Sequence, residues 1–172
     1  WDEDNIYVLA EVTDPKLSKS SVNVYEQDTV EVFFDENNNK TSAYQSDDIQ
    51  CRVNFDNEKS VTDGLSTDKF TSATTITDTG YIVEFAIPST LGGLKANQVV
   101  GFDVQVNDDD GSGKRTSIAN WNDLTGLGYT NTSNYGLLKL VGDAQPPTTD
   151  VLKGDVNVDS KVSTADLLAL KK

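Results

Sequence analysis

From Asn5 to Val141 the chain is a succession of short runs in which apolar and polar residues alternate, each ended by a cluster of Gly, Asn, Asp or Ser. Runs of period two place alternate side chains on opposite faces of a strand, and nothing in this region repeats at the 3.6-residue period of an amphipathic helix. Six runs read as strands: Asn5–Val12, Thr29–Phe34, Ile49–Phe55, Tyr81–Ile87, Val99–Asn107 and Tyr135–Val141. Thr71–Thr77 is a weaker seventh, poor in apolar residues. The pattern predicts an all-β fold, an antiparallel β-sandwich of jelly-roll-like type spanning residues 1–141. Its first strand begins almost at Trp1, so the sandwich is expected to be N-terminally truncated and the chain to be a piece of a longer protein.

At 172 residues the chain has room for one ordinary domain and a short appendage. Its 28 acidic residues against 14 basic ones leave a net charge of −14. Such a charge repels phosphate backbones and anionic membrane surfaces, so neither nucleic acid nor membrane is expected as a partner. There is no histidine, no methionine and a single cysteine, Cys51. That composition removes Ser-His-Asp and Cys-His catalysis, imidazole metal sites, multi-cysteine zinc sites and haem axial ligation. Any chemistry here uses carboxylates, amides, hydroxyls, arginine or aromatic rings.

Residues 142–153, containing GDAQPPTTD, have the proline pair and small polar residues of a linker. Beyond it, oxygen-bearing side chains recur at Asp155, Asn157, Asp159, Ser163 and Asp166, positions 1, 3, 5, 9 and 12 of a loop entering a short helix. That is the ligand spacing of an EF-hand, with the Lys161 carbonyl at position 7, and it predicts calcium. Position 6 is Ser160 rather than Gly, and position 12 is Asp rather than Glu. Gly154–Lys171 resembles one of the duplicated segments of a bacterial type I dockerin, GD-x-N-x-D-x-K-V-x-x-x-D-L-L-x-L-K. The resemblance implies a cohesin partner on a cellulosomal scaffold for a complete dockerin. Residues 154–172 hold one segment of the two.

Within the sandwich, alternation assigns faces. Val30, Val32 and Phe34 point inward and leave Glu31 beside Phe33. Ile49, Cys51, Val53 and Phe55 point inward and leave Gln50, Arg52 and Asn54, while Phe102, Val104 and Val106 leave Asp103 and Gln105. This predicts an exposed sheet face bearing a carboxylate, a guanidinium and amides, groups suited to sugar hydroxyls. A solvated polar face with no ligand is the simpler alternative. Tyr25 in NVYEQD and Trp121 in IANWND are aromatic residues in polar loops that could serve as stacking platforms. Two stacked rings would bury on the order of 100 Å² each, roughly 5 kcal/mol gross. Micromolar binding needs about −8 kcal/mol, so polar contacts must supply the remainder.

WDEDNIYVLAEVTDP, NVYEQDTVEVFFDENNNKTSAY, QCRVNFDNE and YGLLKL together resemble a family 9 carbohydrate-binding module, as found in modular bacterial xylanases, over about residues 1–141. The resemblance implies a non-catalytic module of a secreted endo-1,4-beta-xylanase that clamps the reducing end of a xylan or cellulose chain between two aromatic residues, and the dockerin-like segment adds an expected cellulosome association. Carried onto this sequence, the clamp is Tyr25 and Trp121, and the polar contacts are Glu31, Arg52, Asn54, Gln105 and Asn120. Tyr25 stands where the family commonly has Trp. The family's structural calcium would fall at Asp35, Glu36, Asn37, Asp47 and Asp48, where oxygen ligands are dense. Two other readings remain open: a glycoside hydrolase fragment, with Glu31 and Glu84 as its carboxylates, and a structural spacer.

Overall fold

The structure, a computed structural model, describes residues 1–142. Most of the expected linker lies outside the described residues, as does the expected calcium loop with Asp155, Asn157, Asp159, Lys161, Ser163 and Asp166.

Among the described residues there are nine strands: β1 (Asn5–Thr13), β2 (Thr29–Asp35), β3 (Asp48–Asn54), β4 (Lys59–Ser60), β5 (Thr71–Thr77), β6 (Gly80–Pro88), β7 (Val99–Asp108), β8 (Ser117–Asn120) and β9 (Gly136–Lys139). The seven expected runs all form strands, including the weak Thr71–Thr77, and their ends move by only a residue or two. The two that alternation missed, β4 and β8, are only two and four residues long. Two antiparallel sheets make the sandwich. One has the order β1-β6-β5, and the other β4-β3-β2-β7-β8 with β9 also paired to β7.

The space between the sheets is filled by the predicted inward sets. Val30, Val32 and Phe34 from β2 and Ile49, Cys51 and Val53 from β3 meet Ile6 from β1 and Tyr81, Val83, Phe85 and Ile87 from β6. Phe102, Val104 and Val106 of β7 pack against them. Each fully buried side chain of this size contributes about 1.5–3 kcal/mol of transfer free energy.

One expectation about this sheet needs correction. Every residue of β2 and of β3 is buried, so the polar face of these strands is not a solvated surface. Loops cover it. The 3-10 turn Val24–Glu26 contacts β7. The segment following β8 crosses toward β2, where Tyr135 lies 5.8 Å from Phe33, ring centre to ring centre.

The outer edge of β7 is shared. β8 pairs with it from Gln105 to Asp108 and β9 from Val99 to Phe102. Between them the Trp121 backbone N–H bonds to the Val104 carbonyl at 2.9 Å. Residues 122–135 therefore leave the ladder at its middle and return to it a few ångströms away, free to lie over the polar face.

The β5–β6 hairpin closes on Gly80, with φ +155°; a Cβ there would stand 2.0 Å from the Val12 carbonyl oxygen and 2.7 Å from the Asp14 amide nitrogen. Both contacts are with backbone of β1 and its exit, so relief requires moving strands. Gly80→Ala is expected to destabilise the sandwich by about 2–4 kcal/mol. Urea unfolding of the two proteins checks this, and a difference under about 0.5 kcal/mol would contradict the packing described.

Candidate functional site

Sheet register draws four of the expected residues into one row. Glu31 of β2 lies opposite Arg52 of β3 and Gln105 of β7, and Gln105 lies opposite Asn120 of β8. All four belong to the loop-covered face; alternation predicts this face for Glu31, Arg52 and Gln105, and the family resemblance adds Asn120. Glu31 is its centre and is only 2% exposed. One of its carboxylate oxygens accepts from Asn107 Nδ2 at 2.9 Å and Gln105 Nε2 at 3.4 Å; the other accepts from Gln50 Nε2 at 2.8 Å. Arg52 Nε stands 3.0 Å from the first oxygen as an ion pair, its N–H poorly aligned for a hydrogen bond. A buried carboxylate requires such saturation. Glu31 therefore acts as an anchor that fixes Arg52 and Gln105.

Above this row is a cavity of about 740 Å³. Arg52 and Gln105 line it, together with Val22, Val24 and Tyr25 from the segment before β2, Thr62 and Asp63 after β4, Arg115 and Ile118 near β8, and Gly126 and Tyr129 from the 122–135 segment. Tyr25 sits in the 3-10 turn, which Glu26 secures by accepting from Ser21 Oγ at 2.8 Å and Asn23 Nδ2 at 3.0 Å. The Arg52 guanidinium carbon lies 6.0 Å from the centre of the Tyr25 ring, at the outer limit of a cation–π contact. Tyr25 and Tyr129 are 46% and 43% exposed. Half-exposed aromatic rings on the wall of a cavity that mixes apolar and polar lining are free to stack on a ligand.

Other expected residues fall elsewhere. Asn54 is buried in the β3–β4 turn, where its Oδ1 accepts from the amides of Asp56 and Glu58 and its Nδ2 donates to Glu58. Asn120 donates to the Asp123 carbonyl and lines a separate small void with Asp123, Gly126 and Gly128. Trp121 is not on the cavity wall. Its backbone bonds to Val104, and its ring meets Phe102 edge-on at 6.0 Å and covers Gly136 while the residue stays 56% exposed. A Cβ on Gly136 would be 2.5 Å from that ring. The aromatic residue that the 122–135 segment carries to the cavity is Tyr129, which the reading of the sequence missed. The proposed hydrolase pair also separates: Glu31 lies beneath the cavity, while Glu84 is exposed on β6 of the other sheet.

The support beneath Tyr129 is a pair of phenols. Tyr135 and Tyr44 are 2.7 Å apart, and both reach the Gly128 carbonyl, at 2.6 and 2.8 Å. Burial pushes both hydroxyls well above the usual phenol range, so they stay neutral donors. Asp103 braces the start of the same segment by accepting from the amides of Asn122 and Asp123.

Two groups of carboxylates lie at the bases of these loops. Asp35, Asp47 and Asp48 bring ligand atoms within 4.8 Å of one another, all three buried. Asp48 Oδ1 is buried with no hydrogen-bond partner. Glu36, expected in this group, is not among these carboxylates, and Asn37 meets the group through its backbone amide, which donates to Asp47. Glu36 turns toward Ser89 and Thr90 and accepts their hydroxyls and the Thr90 amide, whereas the Asn37 side chain closes its own loop on the Asn39 amide. Asp14, Asp28 and Asp108 form a second group that the sequence reading did not identify. Burial pushes the Asp48 carboxyl up to about 6, with the Asp35 and Asp47 charges adding to it. Burial likewise raises Asp28 to about 7 against the opposing N–H bonds from Asp109 and Ser18. Crowded carboxylates of this kind favour protons or a hard cation, and the orphaned Asp48 oxygen fits a metal ligand.

The described fold and sequence have close counterparts. Residues 1–143 match the model of the carbohydrate family 9 binding domain-like family. The chain is 55% identical over 142 residues to the exoglucanase XynX of Acetivibrio thermocellus, covering 83% of this chain. It is 48% identical over 165 residues to endo-1,4-beta-xylanase A of Thermoanaerobacterium saccharolyticum, covering 96% of this chain. It spans only 13% and 14% of the length of those two relatives. A family 9 carbohydrate-binding module of Caldicellulosiruptor kristjanssonii, solved in complex with cellotriose, superposes with a TM-score of 0.77 at 38% identity, covering 88% of this chain and 76% of that one. The same module in complex with glucose gives 0.78. The family match over residues 1–143, the identities to these relatives and the superposition on a solved family 9 module agree: the chain belongs to the family 9 carbohydrate-binding domains.

Proposed function

We propose that the cavity between Tyr25 and Tyr129 binds the end of a short β-1,4-linked glucose or xylose chain, as a non-catalytic module of a secreted polysaccharide-degrading enzyme. One observation carries this reading: two half-exposed tyrosines and a pinned Arg52–Gln105 pair line one cavity of about 740 Å³. That size lies within the roughly 300–1,000 Å³ typical of small-ligand sites. The names of the relatives and the sugars held by the Caldicellulosiruptor module support the ligand class. Selection of the reducing end, a xylanase parent and a cellulosomal address belong to the same reading. The last of these rests on the dockerin-like spacing of Gly154–Lys171, which needs a second segment to engage a cohesin.

Calcium is part of the proposal. Asp35, Asp47 and Asp48 supply one set of oxygens, at the base of the loop that carries Tyr44. Asp14, Asp28 and Asp108 supply another, at the base of the segment that carries Tyr25, with Asp28 accepting from the Ser18 amide. An ion at either place would stiffen the support of one aromatic wall.

Calorimetric titration with cellobiose and xylobiose tests the site. Binding is expected in the micromolar to millimolar range. Tyr25→Ala and Tyr129→Ala are each expected to weaken it at least tenfold, since each ring contributes roughly 2.5 kcal/mol by area, whereas Trp121→Ala stays within about threefold. No heat with either sugar, in a folded sample, would reject the reading.

The metal sites have a separate signature. A carboxyl whose pKa is higher folded than unfolded stabilises the fold below the unfolded value, near 3.8, and loses that contribution as pH rises through the folded value. In chelator, the melting temperature is therefore expected to fall as pH rises from 4 to 8. Millimolar calcium should remove the fall, with an increment larger at pH 8 than at pH 5. Asp28→Asn and Asp48→Asn should each shrink that increment, and calcium-independent melting at every pH would count against both ions.

A further inference from the structure

The cavity holds two arginines in different electrostatic situations. Arg52 is committed to the Glu31 carboxylate at 3.0 Å. Arg115 has no carboxylate within 4.0 Å among the described residues. Its Nη1 donates to Asn107 Oδ1 at 2.9 Å and to the Tyr25 carbonyl at 3.4 Å. These bonds fix the guanidinium against the network below and the turn that presents Tyr25. They leave Nε and Nη2 without an acceptor among the described residues, and that edge is the one with which arginine grips a carboxylate in fork geometry. Two acids are near. Asp63 lines the cavity with no ion pair among the described residues. Glu26 is occupied by Asn23 and Ser21, whose hydrogen bonds hold its carboxyl below the usual range with a smaller contribution from Arg115.

An uncommitted, pre-positioned guanidinium is out of character for a chain of net charge −14. A neutral sugar does not require one. At physiological salt, charges beyond about 8 Å are largely screened, so the local cation outweighs the distant acids for a ligand seated in the cavity.

We propose that Arg115 makes this cavity selective for saccharides that carry a carboxylate. This inference rests on the reading of the cavity as a sugar site. The carboxylate could belong to a uronic acid branching from the chain or to an aldonic acid at an oxidised chain end, and the shared chemistry is a sugar carboxylate held by the free edge of Arg115.

Calorimetry on the full chain tests it with four probes: xylotriose, xylotriose bearing a glucuronic acid branch, cellobiose and cellobionate. At least one acidic probe is expected to bind about tenfold tighter than its neutral parent, the scale of one charge-assisted contact. Which acidic probe does so identifies the source. In Arg115→Gln that ratio should collapse toward one, whatever happens to the neutral affinities. Raising salt from 0.05 to 0.5 M should weaken the acidic probe and leave its neutral parent nearly unaffected. Neutral probes binding as tightly as both acidic ones, or a ratio that survives Arg115→Gln, would overturn the proposal while leaving the sugar site intact. Failure of all four probes would remove the sugar site and this inference with it.

Discussion

The Glu31 carboxylate is the constraint around which the binding half of this domain is arranged. A charge buried in the middle of a sheet is tolerated only when donors surround it, and here Gln50 and Arg52 arrive from β3 while Gln105 and Asn107 arrive from β7. The same contacts that compensate Glu31 aim Arg52 and Gln105 at the cavity. Removing one partner from a buried pair of this type costs about 3–5 kcal/mol, because the remaining charge is left uncompensated. Stability and the orientation of the binding groups are therefore set by one interaction.

The aromatic walls are less intrinsic to the sheet and are held from outside it. Tyr25 depends on a single 3-10 turn and on Asp28 and Asp109, which collect the amides and hydroxyls of Ser18, Ser20 and Ser21. Tyr129 depends on the Gly128 carbonyl, gripped by Tyr44 and Tyr135 from below. Each wall is tied back at a point adjoining a carboxylate group, Asp14–Asp28–Asp108 for one and Asp35–Asp47–Asp48 for the other. Pre-organising rings in this way lowers the entropy lost on binding, which matters for a site whose gross stacking energy is modest.

Strand periodicity made the core legible, because the inward sets of β2, β3, β6 and β7 follow directly from alternation. It also placed Glu31, Arg52 and Gln105 on one face, whereas Asn120 came from the family resemblance. It did not show that the face is covered. Phe33 was the available clue, an aromatic residue sharing that face with Glu31 and found 96% buried beneath Tyr135. The second aromatic ring of the cavity wall was hidden for a different reason. Trp121 follows β8, a four-residue strand too short to register as alternation, and only the fold shows its exposed ring against Phe102 and Gly136, away from the cavity lining. Tyr129 lies in a glycine-rich stretch whose path is set by Tyr44, 84 residues away from Gly128 in sequence. Asp14, Asp28 and Asp108 likewise meet only through the fold. Local density misled in the opposite direction at Glu36, which adjoins Asp35 in sequence but turns to Ser89 and Thr90.

The divided edge of β7 bears on how such a module can vary. β8 and β9 each hold their own stretch of that edge, so the register on either side is secured independently of the residues between them. Lengthening or shortening the excursion from Asn122 to Asn134 would leave both ladders in place and alter only what is carried over the polar row. The sandwich can thus keep one buried anchor while exchanging the lip above it, and relatives sharing its core can differ in the carbohydrate they prefer through that segment alone.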